Sequence, residues 1–119
     1  MQILLADDDT TTLNLITRAL QGDGHEVTVA EDGNAALDLL TAPGSKFALL
    51  IADVDMPGLN GIALCERAMR IDDTMPILLM SAHHPELART TGGARYEFIL
   101  KPFALEDMRA AVRRLISAS

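Results

Sequence analysis

Ala48-Leu49-Leu50-Ile51-Ala52-Asp53-Val54-Asp55-Met56-Pro57-Gly58-Leu59-Asn60-Gly61 passes from an unbroken apolar run to a carboxylate and then into turn residues. An apolar run this short, closed by Pro57, Gly58, Asn60 and Gly61, reads as a strand buried on both faces of a parallel sheet. Three other runs have the same form: Ile3–Ala6 leads into Asp7, Asp8 and Asp9, Ile77–Met80 into Ser81, and Phe98–Leu100 into Lys101. In open α/β sheets, ligands bind just beyond the carboxyl ends of the strands. The pattern therefore gathers an acidic cluster, a hydroxyl and an ammonium at one edge of one sheet.

The segments between these runs carry helical periodicity. Leu13, Ile16 and Leu20 are spaced for a helix over about Thr11–Gln21, with Asp9 or Thr10 as cap and Gly22 and Gly24 as stop. In Glu26–Ala30, Val27 and Val29 alternate with polar residues, which suggests a half-exposed strand at a sheet edge. A second helix fits Asn34–Thr41, ended by Pro43–Gly44. A third fits Ile62–Ile71, with Ile62, Cys65 and Met69 on one face. Between Pro85 and Gly92–Gly93, within His83–Ala94, there is room for only a short helix of about two turns. A last strand, Glu97–Leu100, precedes a helix over about Leu105–Ser117 with Leu105, Met108, Val112 and Leu115 as its inner stripe. Five βα units in alternation predict an α/β fold with a doubly wound parallel sheet and right-handed crossovers. The expected organisation is one domain over residues 1–119 with no output domain.

Composition narrows the function. The net charge of −7 argues against direct nucleic-acid binding, which needs a basic stripe. No apolar run is long enough for a membrane span, no signal-peptide pattern precedes the first strand, and Cys65 is the only cysteine. A cytoplasmic location is the expectation, with Cys65 a core residue. Among the basic residues only Lys46 and Lys101 are lysine; the rest are arginine. That bias points to a specific role for a lysine placed at a strand end. Arg89, Arg95, Arg109, Arg113 and Arg114 collect in the carboxyl-terminal third, as a solvated surface or a docking face.

Two carboxylates ~4 Å apart repel by roughly 4 kcal/mol at an effective dielectric of 20, so such a cluster needs a cation or a raised pKa. Carboxylate and carbonyl oxygens suit Mg²⁺, a hard ion. An ammonium such as Lys101 can neutralise a phosphoryl oxygen, Ser81 can donate to another, and a carboxylate nucleophile can form an acyl phosphate.

The chain resembles a response-regulator receiver domain, the CheY-like module of two-component signalling, over its whole length. The resemblance rests on Ile3-Leu4-Leu5-Ala6-Asp7-Asp8-Asp9, on the stretch from Leu49 to Gly61, on Met80-Ser81-Ala82 and on Lys101-Pro102-Phe103. It implies a flavodoxin-like (βα)5 fold with strand order 2-1-3-4-5 and a cis Lys101–Pro102 bond. It implies Asp53 as phosphoacceptor and Asp7 and Asp8 as the acidic pair. Asp8 would ligate Mg²⁺ (or Mn²⁺) directly and Asp7 largely through water, with the backbone carbonyl of Asp55 as a further ligand. Ser81 matches the switch hydroxyl, Lys101 the lysine that contacts the phosphoryl group, and Phe98 the aromatic of the switch. Asp55 and His83 match positions that tune phosphoryl lifetime.

The resemblance further implies a histidine kinase or histidine phosphotransfer protein as donor and a downstream protein target reached through the fourth helix, fifth strand and fifth helix. Such a domain is a monomer or weak dimer. It is not an enzyme, taking part only in its own phosphorylation and dephosphorylation. The stretch from Ser81 to Lys101 looks shorter than the family usually has; a subset of single-domain receivers that act as proteolysis adaptors resembles this chain in its first half and in its altered fourth helix. Two alternatives compete. Asp53-Val54-Asp55 also resembles the Asp-x-Asp of haloacid-dehalogenase-type phosphatases, although those place their acidic pair after the lysine. The other is a phosphorylation-independent adaptor on the receiver fold.

Overall fold

The computed structural model describes residues 1–83 and 96–118. Five parallel strands form one sheet in the order β2-β1-β3-β4-β5: β1 (Gln2–Ala6), β2 (Glu26–Ala30), β3 (Leu49–Asp53), β4 (Ile77–Ser81) and β5 (Tyr96–Leu100). Four helices accompany them among the described residues: α1 (Thr10–Gly22), α2 (Gly33–Thr41), α3 (Gly61–Ile71) and α4 (Leu105–Ala118). This is the flavodoxin-like α/β arrangement and strand order expected. The short helix expected within His83–Ala94 falls on residues 84–95 and lies outside the described residues, so the helix after β5 is α4.

Side chains alternate across each strand, and this splits the core into two layers. Leu4, Leu50, Ala52, Ile77 and Leu79 face α2 and α3, meeting Leu40, Leu64 and Ala68. Ile3, Leu5, Leu49, Ile51, Leu78 and Met80 face α1 and α4, meeting Leu13, Ile16, Leu20, Met108, Val112 and Leu115. The three inner strands β1, β3 and β4 read as continuous apolar runs because both their faces are covered.

The helix ends follow from local chemistry. Asp9 caps α1, its Oδ1 accepting from the Thr11 amide at 3.1 Å and its Oδ2 from the Thr12 hydroxyl at 2.8 Å. Asp32 caps α2 through the Ala35 amide at 2.7 Å, and Asn60 caps α3 through the Ala63 amide at 2.9 Å. Gly24, at φ 91°, supplies the left-handed residue that turns the chain after α1.

β2 is the half-exposed edge strand that its alternation suggests: Val27 packs against the α1 layer and Val29 is exposed. Three local expectations are corrected. Phe98–Leu100 is not a doubly buried strand: β5 is the outer edge, with most of its side chains half-buried and Leu100 exposed. Met69 is off the buried face of α3, which is made by Leu64, Cys65 and Ala68. Leu105 is also exposed, since it stands in the first turn of α4, before the helix has closed over the sheet; Ala111 joins the buried stripe instead.

The clustered arginines are partly committed to ion pairs. Arg109 grips Asp23 with two nitrogens, Nε lying 2.9 Å from Oδ2, and also pairs with Glu106. Arg114 pairs with Glu97 on β5 at 2.9 Å. These ties join α4 to the end of α1 and to the sheet edge, so Arg109 and Arg114 act first as struts of the fold.

Candidate functional site

Parallel register brings the strand ends together. Ala6 of β1 pairs with Ala52 of β3, so Asp7 and Asp53 are neighbours across the sheet. Asp53 pairs with Met80 and Ser81 pairs with Leu100, which sets Ser81 one residue and Lys101 two residues further along the same edge. Backbone bonds hold these ends in place. The Asp7 amide donates to the Ala30 carbonyl at 3.1 Å, the Val54 amide to Met80 at 2.8 Å, and the Lys101 amide to Ser81 at 2.9 Å. The Lys101–Pro102 peptide is cis.

Lys101 bridges two buried carboxylates. Its Nζ lies 3.1 Å from Asp7 Oδ2 and 3.0 Å from Asp53 Oδ2. Asp7 is fully buried, and Asp53 and Ser81 nearly so. The other oxygens of the pair are held by the chain itself: Asp7 Oδ1 accepts from the Asp9 amide at 3.0 Å, and Asp53 Oδ1 from the Asp55 amide at 3.1 Å. Ser81 Oγ accepts from the His83 amide at 3.3 Å. Asp8, Asp55 and His83 are exposed at the rim. Phe98 is half-buried against the α2–α3 layer and meets Tyr96 edge-on, with ring centroids 5.8 Å apart.

Burial raises the Asp7 pKa above the usual carboxylate range, and the nearby Asp53 charge adds to the rise; the bonds from the Asp9 amide and Lys101 oppose it. Burial alone would lower Lys101. Hydrogen bonds to Asp53 and Asp7 outweigh that and hold its pKa above the ordinary value.

Asp7, Asp8 and Asp53 each offer a carboxylate oxygen, all within 4.8 Å of one another. An all-oxygen donor set of high negative charge, with one member exposed, fits a hard divalent cation such as Mg²⁺. One ammonium against two buried carboxylates leaves the interior of the site electrostatically short of positive charge. A metal-free Asp7→Asn variant is therefore expected to be more stable than the parent by about 1–2 kcal/mol, because Lys101 keeps Asp53 as partner while one buried charge disappears. A folded pKa raised above the unfolded one adds stability as pH falls from neutral through it. Asp7→Asn should remove that part of the pH dependence, and should also abolish stabilisation by Mg²⁺. Chemical denaturation with chelator and with Mg²⁺ measures both.

Two contacts at this site escape a reading of the sequence. Lys101 spans both carboxylates rather than waiting beside one. Gly61, which reads as turn punctuation, is buried against the backbone of Asp53 and Val54, its amide donating to the Val54 carbonyl at 3.0 Å. An apolar hollow of about 390 Å³ opens beside Lys101, lined by Thr12, Leu15, Ile16, Pro102, Phe103 and Leu105 among others.

A five-stranded parallel sheet with a carboxylate cluster, a hydroxyl and a lysine at its carboxyl edge has a charged site where open α/β sheets bind their ligands. Comparison with known proteins makes the class specific: residues 3–113 match the response regulator receiver domain family, and the chain belongs to it. It is 34% identical over 118 residues to the response regulator MprA of Mycobacterium avium, covering 98% of this chain and 51% of that protein. The chain thus spans about half the length of the curated relatives it matches. A response regulator receiver protein from Sinorhizobium medicae superposes with a TM-score of 0.90 at 28% identity, covering 99% of this chain and 95% of that one. The receiver domain of NtrX from Brucella abortus gives 0.86 at 28% identity, covering 98% and 99%. Among the described residues no helix is long and apolar enough to cross a membrane.

Proposed function

We propose that this domain is a phosphoacceptor switch of two-component signalling, taking a phosphoryl group on Asp53 from a histidine kinase or histidine phosphotransfer protein. The observation that carries the reading is the Lys101 bridge between the buried Asp7 and Asp53 at the rim of an all-oxygen cluster. An Asp53 oxygen forms the new O–P bond as the N–P bond to the donor imidazole breaks, and the imidazole leaves with a proton. Lys101 then holds a phosphoryl oxygen, and Ser81 donates to another.

Asp7 and Asp8, with Asp53 and the Asp55 backbone carbonyl, would hold Mg²⁺. The ion supplies charge neutralisation for the incoming phosphoryl group. Movement of Ser81 toward that group opens space for Phe98, and the change is read by a protein partner on the β5–α4 side.

The test is to incubate the chain with a small phosphodonor such as phosphoramidate. Uptake should stop at one hydroxylamine-labile phosphoryl group per chain and should need Mg²⁺. Absence of label sinks the reading. Continued turnover of a phosphomonoester would point instead to a phosphatase of the haloacid-dehalogenase type. Capture of a partner only after phosphodonor treatment would separate the switch from a phosphorylation-independent adaptor.

The Asp55 and His83 amides donate to Asp53 and Ser81, which fixes these two residues beside the site. Their exposed side chains are placed to govern the entry of water. Asp55→Asn and His83→Ala should each shift the acyl-phosphate half-life several-fold. A half-life unchanged in both variants would remove them from lifetime control.

A further inference from the structure

The Asp53–Gly61 connection bears the phosphoacceptor at one end and Asp55 near it, and its crown at Gly58–Leu59 is pressed against the start of α2. Gly33, the first residue of α2, is buried with no room for a Cβ: the atom would fall on the carbonyl group and Cβ of Leu59. One residue on, the Asn34 side chain lies against Gly58, whose φ of 73° keeps the crown in a left-handed turn; a Cβ on Gly58 would stand 2.8 Å from Asn34 Nδ2. The same short stretch also touches the other half of the site, since the Ala30 carbonyl accepts from the Asp7 amide at 3.1 Å. Asp32 anchors the stretch by capping α2.

We infer that Ala30–Asn34 is a brace that sets the spacing between the acidic pair and the phosphoacceptor loop, with Gly33 and Asn34 as positioning residues for the divalent cation. The inference deepens the proposed phosphoacceptor function and rests on it. Ala30 holds the backbone of Asp7 while Gly33 and Asn34, three and four residues later, hold the crown of the loop that carries Asp55. Neither Gly33 nor Asn34 touches the cluster itself. Bulk added at Gly33 has to displace Leu59, its carbonyl group first and its Cβ with it, and that displacement travels back along the loop to the Asp55 carbonyl and the Asp53 carboxylate. Removing the Asn34 side chain frees the crown without adding bulk.

The experiment titrates Mg²⁺ against the thermal unfolding of the whole chain and follows phosphoramidate labelling at low and saturating Mg²⁺. Gly33→Ala should raise the apparent Mg²⁺ Kd by about 10-fold, and Asn34→Ala by a few-fold, as expected for residues that orient ligands from behind. Labelling should fall at low Mg²⁺ and recover at saturation. Gly22→Ala, at a helix glycine with nothing within 4 Å, is the control and should leave the Mg²⁺ Kd unchanged. Should Gly33→Ala fail to fold, Asn34→Ala decides. A Mg²⁺ Kd equal to that of the parent in the folded variants, with only the chelator-treated midpoint lowered, would reduce the stretch to packing and overturn the inference. No Mg²⁺-dependent shift in the parent chain would overturn the phosphoacceptor reading itself, and the brace with it.

Discussion

Asp53→Asn incubated with phosphoramidate and Mg²⁺ is expected to take up less label than the parent by more than about 100-fold, because an amide oxygen cannot replace a carboxylate nucleophile. The substitution is gentle on the fold. Asparagine keeps the shape of the side chain, and its carbonyl oxygen can still accept from the Asp55 amide, as Asp53 Oδ1 does at 3.1 Å. Lys101 retains Asp7 at 3.1 Å as its ionic partner. Loss of label therefore reports chemistry and not unfolding, and an unchanged denaturation midpoint, or a slightly raised one, would accompany it. Undiminished labelling would place the acceptor on another carboxylate, with Asp7, Asp8 and Asp55 the nearest.

Gly61→Ala is expected to cost about 2–3 kcal/mol of stability and to slow labelling on the order of 10–100-fold. Alanine is ordinarily the better residue inside a helix by ~1 kcal/mol. Here its Cβ would stand 2.8 Å from the Asp53 carbonyl carbon and from Val54 Cα, and closer still to the Asp53 oxygen. Those atoms are backbone at the end of a fully buried strand, so they cannot swing aside as a long side chain would. Either α3 lifts from the sheet or the Asp53–Val54 peptide moves, and the second displaces the Asp53 carboxylate from Lys101. Denaturant titration gives the first effect and the labelling rate the second. A variant as stable and as fast as the parent would show that the junction yields without consequence.

Much of the site is legible in the sequence. Strand ends at Asp7, Asp53, Ser81 and Lys101 were marked by apolar runs that stop at a polar residue, and the structure places all four residues at one edge of the sheet. Core positions on β1, β3 and β4 followed from the same runs, since a strand covered on both faces has no polar side to show. Reading failed where cover depends on neighbours. Phe98–Leu100 is as apolar as Ile77–Met80, yet β5 has a strand on one side only and stays half-exposed. Met69 and Leu105 fit the helical period, but the period gives a stripe and not its width or its end; the sheet decides which turn is covered. Arg109 and Arg114, in sequence only members of a basic cluster, are tied in the fold by Asp23 and Glu97 on other elements.

The sequence by itself determined the chemistry on offer and the side of the sheet on which it meets, because alternation of strand and helix in a right-handed α/β fold leaves one carboxyl edge. Tertiary structure alone decided how that chemistry is held. Lys101 is 94 and 48 residues from Asp7 and Asp53, and only folding makes it the bridge between them. Gly61 reads as turn punctuation in the chain and Gly33 carries no signal there, whereas in the fold both are points where helix backbone packs directly against the Asp53–Gly61 connection. Local propensity is a property of a few adjacent residues; closeness of approach is a property of two segments at once, and it has no signal in either one alone.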